Sequence, residues 1–170
     1  RELVVKPILV YFIHKRQKAT SWRQWGGIET EEDVREEEKR IQRELEELKE
    51  KAEFKLKILP VSSVQFPEEL REIESDLEEA DVYLIYAASG ALVLAGGAYI
   101  PAGKYLLEEL VSHGKHVIFF LRHRSGPVYL WYEILHPRFL RRESDEYAQP
   151  NVTVDDVVVD DYDEVLWRLR

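Results

Sequence analysis

The stretch LVVKPILVYFI, from Leu3 to Ile13, decides the fold class of this chain. It is almost continuously apolar and rich in β-branched and aromatic residues, a pattern typical of a strand covered on both faces. DVYLIYAA at Asp81–Ala88 and KHVIFFL at Lys115–Leu121 have the same character, and Val152–Val159 predicts a further strand. Strands buried on both faces indicate a parallel sheet flanked by helices.

Between the first two strands the sequence predicts a long helix. Thr30 can cap its N-terminus, and the acidic residues that follow suit the positive end of a helix. From Val34 to Ala52, apolar residues recur at helical spacing and form one narrow stripe. Phe54–Val64 then alternates before it turns apolar, which predicts a strand near a sheet edge because Pro60 lacks an N–H group.

Further helices are expected between the remaining strands. Each begins at a proline or at an acidic capping residue, namely Pro67, Pro101, Pro127 and Asp161. Strands that alternate with helices predict an α/β fold, a doubly wound, mostly parallel five-stranded sheet with helices on both faces. We expect the flavodoxin-like, Rossmann-like strand order 2-1-3-4-5 in a single domain over residues 1–170. Ser89–Ile100 stays open between a loop, a short helix and an extra hairpin.

The charge balance narrows the function classes. With 24 basic and 33 acidic residues the net charge is -9, which argues against nucleic acid as a partner and favours a small neutral ligand or a protein. The absence of cysteine excludes disulfides and thiolate metal sites. A charged fraction of 34% is a weak thermophile signal.

One stretch invites comparison with a membrane span. Val82–Gly103 carries no charged residue, yet its glycines and Pro101 favour a buried strand followed by a loop, so no membrane association is expected. Nothing at the N-terminus resembles a signal peptide, and we therefore expect a cytoplasmic protein. Both ends look trimmed, which predicts a fragment of a longer chain.

A ligand site is expected where the strand order reverses, beyond the carboxyl ends of the strands. Three loops should meet at that rim, His14–Glu29, Ser89–Ile100 and Arg122–Pro127. They are also the three most unusual stretches of the sequence. The predicted topology therefore brings them together on one side of the molecule.

The first loop suits a small sugar. Trp22 and Trp25 offer aromatic rings to the C–H faces of a sugar, while His14, Arg16 and Arg23 offer hydrogen-bond donors to its hydroxyls. Two alternatives stay open. The tryptophans can fold back as a lid on the core, and a lone histidine is more often structural than catalytic.

The loop after the fourth predicted strand suits an anion or a carbonyl oxygen. His123, Ser125 and Gly126 precede the helix expected at Pro127, where free N–H groups and flanking arginines favour negative charge. We count these three residues among the candidate substrate contacts. The alternative is that Ser125 only caps the helix and that the arginines pair with acidic loops.

Several familiar signatures are missing from the sequence. It has no GxGxxG, GxxxxGKS/T, GxSxG or HExxH spacing, so dinucleotide, nucleotide, α/β-hydrolase and zinc-protease chemistry lack their usual motifs. Acidic residues cluster around the last predicted strand. Asp160 and Asp161 at its carboxyl end could hold a hard cation, and the simpler alternative is that Asp161 caps the last helix.

Three blocks of the sequence resemble a known family. They are FIHKRQKATSWRQWGGIETEEDV at Phe12–Val34, RHRSGPVYLWYEILHPRFLRR at Arg122–Arg142 and VDDVVVDDYDEVLWRLR at Val154–Arg170. They are similar to the N-terminal region of an archaeal and thermophile group within the L-fucose isomerase and L-arabinose isomerase-like proteins. The likeness is weakest over Ser89–Ile100, where a shorter loop would be expected.

The resemblance implies a function for the chain. Members of that wider family are multidomain homo-oligomers that interconvert aldoses and ketoses with a divalent metal, typically Mn2+, bound by residues of later domains. No cofactor or metal ligand is therefore expected in this chain, which would be inactive alone. The implied substrate contacts are His14, Arg16, Trp22, Arg23 and Trp25.

Two other function classes remain open. In the first, the chain is a non-enzymatic, flavodoxin-like binding or oligomerisation module, and its aromatic residues are subunit contacts. In the second, it is a stand-alone enzyme that uses His14 or His123 as a general base, although no second catalytic group is evident.

Overall fold

The computed structural model describes residues 1–13, 28–88, 109–129 and 157–170 in full, and residues 92–95 and 98–101 as backbone. Strands and helices alternate along these ranges. The strands are β1 (Leu3–Val10), β2 (Leu56–Ile58), β3 (Ser62–Val64), β4 (Val82–Ala87), β5 (Leu92–Ala95), β6 (Ala98–Pro101), β7 (His116–Leu121) and β8 (Val157–Val159). The helices are α1 (Glu31–Lys51), α2 (Glu74–Glu79) and α3 (Tyr162–Leu169), with a 3-10 helix over Pro67–Ile73 before α2.

The main sheet is parallel and has the order β2-β1-β4-β7-β8. Strands β2 and β3 both lie along the same edge of β1. Strand β2 pairs with the first half of β1, and β3 pairs with its second half. Because β2 and β3 together take the place of the second predicted strand, the doubly wound, flavodoxin-like arrangement is confirmed. The sheet centre is fully buried, as the side chains of Ile8, Leu9, Leu84 and Ile85 show.

The predicted strand at Phe54–Val64 is divided in two because of Pro60. Proline cannot donate to the ladder, and pairing with β1 stops at Leu59 and resumes at Ser62. Lys6, a fully buried lysine of β1, donates to the carbonyl of Pro60 at 2.6 Å and to the hydroxyl of Ser62 at 2.8 Å. Its third partner is Asp76 of α2, at 2.7 Å. The side chain of Lys6 therefore holds the interruption in place.

Helix α1 begins with the predicted cap. The Thr30 hydroxyl accepts from the amide of Asp33 at 3.1 Å, and the Asp33 carboxylate accepts from the amide of Thr30 at 3.0 Å. This reciprocal capping box satisfies two N–H groups at the helix start. The predicted apolar stripe also faces the core, but it contains one charged residue. Its buried members are Val34, Glu37, Ile41, Leu45 and Leu48.

Helices cover both faces of the sheet. Successive residues of a strand point to opposite faces. Tyr83 of β4 points toward α2, where its hydroxyl donates to the carbonyl of Leu77 at 2.8 Å. Tyr86, three residues on, points to the other face and contacts Tyr162 of α3 at 2.7 Å. This placement confirms helices on both faces.

The remaining segments between β4 and residue 129 differ in how they compare with the sequence. Residues 109–112 are helical, and Gly114 follows them with a φ of 74°, the left-handed conformation in which many helices end. Within Ser89–Ile100 the hairpin alternative forms, since β5 and β6 pair as antiparallel strands.

The prediction of a helix that begins at Pro127 is wrong for residues 127–129, which are not helical. The amide of Tyr129 instead donates to the carbonyl of Arg122 at 3.0 Å and closes a loop.

Among the described helices, none has both the length and the apolar character that a bilayer crossing requires.

Candidate functional site

The strand order reverses between β1 and β4. Val10 is aligned with Ala87 in the parallel ladder, so both strands end at the same level of the sheet. The chain leaves β1 through Tyr11 and leaves β4 through Ala88, whose amide donates to the carbonyl of Val10 at 2.9 Å. In an open α/β sheet this crevice is the usual ligand position. The predicted contacts His14, Arg16, Trp22, Arg23 and Trp25 follow β1, but they lie outside the described residues.

The neighbouring strand β7 ends in a buried arginine. Arg122 is 1% exposed, and each nitrogen of its guanidinium has a partner. Nε donates to Glu37 at 2.6 Å, Nη1 donates to Glu44 and to the hydroxyl of Ser125 at 3.0 Å each, and Nη2 donates to Glu44. Both glutamates belong to α1. Arg122 therefore ties the start of the β7 loop to that helix through a two-pronged carboxylate contact.

Aromatic rings surround the same guanidinium. The carbon at its centre lies 5.3 Å from the ring centroid of Phe120, 5.9 Å from that of Tyr129 and 6.0 Å from that of Tyr86. The hydroxyl of Tyr129 donates to Glu37 at 2.8 Å. Burial, followed by the negative charge of Glu37, raises the pKa of Tyr129 well above its usual range, so this hydroxyl remains a donor.

A further carboxylate, that of Asp160, also contacts the loop after β7. Asp160 follows β8 with φ at 55°, and its carboxylate accepts from the backbone N–H groups of His123 at 3.0 Å, Arg124 at 2.9 Å and Ser125 at 3.2 Å. We call these three N–H groups the amide nest. The Ser125 hydroxyl donates to the same carboxylate at 2.5 Å. Burial opposes the charge, but these hydrogen bonds outweigh it and lower the pKa of Asp160.

The amide nest revises the prediction made for this loop. We expected free N–H groups that would receive an anion or a carbonyl oxygen of a ligand, but the protein's own Asp160 carboxylate occupies them. The Ser125 hydroxyl also has its partners, since it accepts from Arg122 and donates to Asp160. The side chains of His123 and Arg124 are exposed. The role of His123 and Ser125 in contacting a substrate stays a prediction.

Gly126 has a steric role in the described structure. A Cβ atom at this position would lie 3.0 Å from Cδ of Arg122 and 3.3 Å from Cδ of Arg40. The absence of a side chain therefore makes room for Arg122 and Arg40, both of which donate to Glu37. Its predicted contact with a substrate is a separate question and stays a prediction.

The acidic residues after β8 have structural partners. The carboxylate of Asp161 accepts from the amides of Asp163 at 3.0 Å and Glu164 at 3.2 Å, and so caps α3 as the simpler alternative predicted. In the described part of the chain, no group of three or more His, Asp or Glu side chains could hold a metal ion.

Sequence reasoning missed the Arg122 network, although one signal for it was present. Glu37 lies three residues after Val34 and four before Ile41, on the apolar stripe of α1. A carboxylate at such a position requires a buried cation or several hydrogen bonds. The identity of that cation, 85 residues away in sequence, could not be read from the pattern.

Comparison with known proteins adds no family to this description. No protein-family model matches the chain, and no curated protein matches it.

Proposed function

We propose that this chain is the substrate-contacting domain of a sugar ketol-isomerase-like protein, in which the full-length chain interconverts an aldose and a ketose. The observation that carries the proposal is the reversal of strand order between β1 and β4. At this point the chain leaves β1 and continues into the aromatic and cationic stretch that begins at His14. Ligands of open α/β sheets bind at such reversals.

The chemistry of that stretch suits a sugar. The indoles of Trp22 and Trp25 match the weakly apolar C–H faces of a pyranose or an open-chain sugar. Arg16 and Arg23 carry several N–H donors each, and His14 can donate or accept. A net charge of -9 supports a neutral ligand over an anionic one.

The loop after β7 also supports the proposal, because contacts within the protein order its backbone close to the crevice. Strand β7 pairs with β4, so its loop begins one strand away from the crevice, at a spacing of about 4.8 Å. Arg122 and Asp160 hold its backbone through contacts made within the protein. A binding loop that is ordered before the ligand arrives loses less conformational entropy on binding.

The described residues do not fit a metal ion, and we derive no chemical step through one in this chain. In the proposal, a divalent ion such as Mn2+ is bound by other domains of a homo-oligomer and polarises the carbonyl and hydroxyl oxygens of the substrate. This chain binds and orients the sugar. It should therefore produce no ketose from an aldose when it is assayed alone with Mn2+.

Sugar binding by tryptophan variants tests the proposal. Wild type, Trp22→Ala and Trp25→Ala would be titrated with L-fucose, L-arabinose and other aldoses, and binding followed by calorimetry. Trp167→Ala is the matched control, because Trp167 is 68% exposed on α3, away from the carboxyl ends of the strands. Each loop variant should weaken binding by about fivefold or more, and the control should bind as wild type does.

Other outcomes would redirect the proposal. Equal sugar affinity in all four proteins would contradict a contact role for the two loop tryptophans. If no aldose binds, and Trp22→Ala or Trp25→Ala changes only the oligomeric state measured by light scattering, the chain is a non-enzymatic oligomerisation module. Formation of ketose by the chain alone would contradict the claim that catalysis needs further domains.

A further inference from the structure

The amide nest has the form of an oxyanion site whose ligand is part of the protein. Three consecutive backbone N–H groups converge on one carboxylate, and the Ser125 hydroxyl adds a fourth hydrogen bond. Successive N–H groups arranged in this way bind anions in many proteins. Here Asp160, which lies 35 residues after Ser125, fills the position.

Further hydrogen bonds fix both the backbone of Asp160 and the loop that its carboxylate contacts. Its own amide donates to the carbonyl of Leu121 at 2.9 Å, so the backbone of the β8 turn is bonded to the end of β7. Its φ of 55° lies in the left-handed region, which an L residue adopts at a cost. Arg122 also donates to the hydroxyl of Ser125. The carboxylate and the guanidinium therefore both contact the loop, and they share the Ser125 hydroxyl.

We propose that Asp160 is a positioning residue, an internal oxyanion that orders the β7 loop, and that a small carboxylate can replace it in the amide nest. The ordered loop presents the exposed side chains of His123 and Arg124. That these two side chains face a sugar rests on the proposed function. The occupancy of the nest by a carboxylate does not, and it can be tested separately.

Three variants separate the carboxylate from the backbone and from the charge. Asp160→Gly removes the carboxylate, and glycine accepts the left-handed conformation without strain. Asp160→Asn keeps one acceptor oxygen and places an NH2 group against one of the three amides. Asp163→Ala is the control, since it removes one exposed carboxylate from the neighbouring turn of α3 and leaves the nest intact.

Amide signals of the whole chain, followed by NMR, give the readout. In Asp160→Gly, hydrogen exchange at His123, Arg124 and Ser125 should accelerate by about tenfold or more. Sodium formate should then shift these three signals saturably, with a Kd on the order of 10–100 mM for so small an anion, and slow their exchange again. Wild type and Asp163→Ala should show neither effect. The amides of His123 and Ser125 donate to one oxygen of Asp160, and the amide of Arg124 donates to the other. In Asp160→Asn the NH2 group should take the place of the oxygen at Arg124, so exchange should accelerate at Arg124 and stay slow at the other two amides.

The outcomes that overturn the proposal are distinct. Formate shifts that are equal in wild type, Asp163→Ala and Asp160→Gly would show an adventitious ion only. Unchanged exchange in Asp160→Asn at all three amides would show that the carboxylate does not hold them. If Asp160→Gly is too unstable for these NMR measurements, its thermal unfolding is compared in equal concentrations of sodium formate and sodium chloride. Absence of a formate-specific rise in Tm would overturn the proposal.

Sugar affinity distinguishes this inference from the proposed function. If wild type binds an aldose, Asp160→Gly should bind it more weakly, and formate should restore part of the loss. If wild type binds no aldose while formate still enters the nest of Asp160→Gly, the proposed function fails and Asp160 stands as a positioning residue of the loop.

Discussion

Arg122 and Glu37 form an ion pair in which both side chains are wholly buried, with Nε of the arginine 2.6 Å from Oε1 of the glutamate. The pair joins the carboxyl end of β7 to the second turn of α1. Removing two charges from water is costly, and their attraction compensates only when the remaining polar atoms are also bonded. That condition is met here, since Glu37 also accepts from Arg40 at 2.6 Å and from the hydroxyl of Tyr129.

Truncation of the Glu37 side chain should therefore strongly lower the free energy of unfolding. Glu37→Ala leaves Nε of Arg122 and the hydroxyl of Tyr129 without their buried acceptor, while Glu44 still balances the charge of Arg122, and we expect a loss of about 3 kcal/mol in the free energy of unfolding. Urea denaturation measures the loss. Glu36→Ala, at an exposed position of the same helix, is the control and should change the unfolding free energy by less than about 0.5 kcal/mol. Equal effects of the two variants would contradict the role assigned to the pair.

The two hydroxyls of Tyr86 and Tyr162 should differ in their contributions. Tyr162 donates to Glu44 at 3.3 Å, so the 2.7 Å contact between the tyrosines makes Tyr86 the donor to Tyr162. Tyr162→Phe leaves the buried Tyr86 hydroxyl without an acceptor and should cost about 1–3 kcal/mol. Tyr86→Phe removes that donor itself and should cost about 1 kcal/mol. Urea unfolding of both variants checks the order, and a greater cost for Tyr86→Phe would reverse the assigned direction.

Alkaline pH should destabilise the chain through its buried tyrosines. Burial, then the charge of Glu78, raises the pKa of Tyr83 to about 12, and burial is also the main cause that raises the pKa of Tyr11 to about 12. For an acid that is neutral when protonated, a raised pKa in the folded state contributes stability fully below its unfolded pKa of 10.0. This contribution is lost as the pH rises from there through about 12.

Tyrosinate absorbance measures this shift directly. The spectrum of Tyr83→Phe subtracted from that of wild type should show one hydroxyl that ionises near pH 12 in the native protein. In urea the same difference should titrate near the ordinary value of 10.0. A native difference that titrates near 10.0 would mean that this hydroxyl is accessible to water.

Two glycines should respond to substitution for different reasons. Gly114 has a φ of 74°, and no atom lies within 4 Å of the position that a Cβ would take. Gly114→Ala should therefore lower the free energy of unfolding by about 1 kcal/mol through backbone strain alone. Gly114→Asn should lower it less, because asparagine tolerates the left-handed region. Gly126 is limited by Arg122 and Arg40 instead. Gly126→Ala should cost about 1–3 kcal/mol and Gly126→Asn more. Thermal unfolding of the four variants tests this opposite ordering.

Local signals in the sequence were sufficient for much of the fold. The caps at Thr30 and Asp161 depend on residues within three positions, and both form as expected. The apolar runs at β1, β4 and β7 identified the central strands. The alternation of strands with helices predicted a doubly wound parallel sheet, because parallel crossovers are right-handed in nearly all proteins, and the observed order is the flavodoxin-like one that we expected.

The contacts that shape the candidate site depend on pairs that are far apart in sequence. Arg122 and Glu37 are 85 residues apart, and Asp160 and Ser125 are 35 residues apart. Nothing local distinguishes a buried Glu37 from its exposed neighbours except its place on the stripe, and the helix expected at Pro127 gave way to a loop closed by Tyr129 and Arg122.

Local and periodic patterns in the amino-acid sequence were therefore enough to predict the helix caps, the buried strands and a doubly wound sheet. The burial of particular charges and the occupancy of particular amides depend on the folded structure. A buried charge is stable only beside a partner of opposite charge or several donors, and the contacts that the residues after β7 make with α1 and with Asp160 supply them.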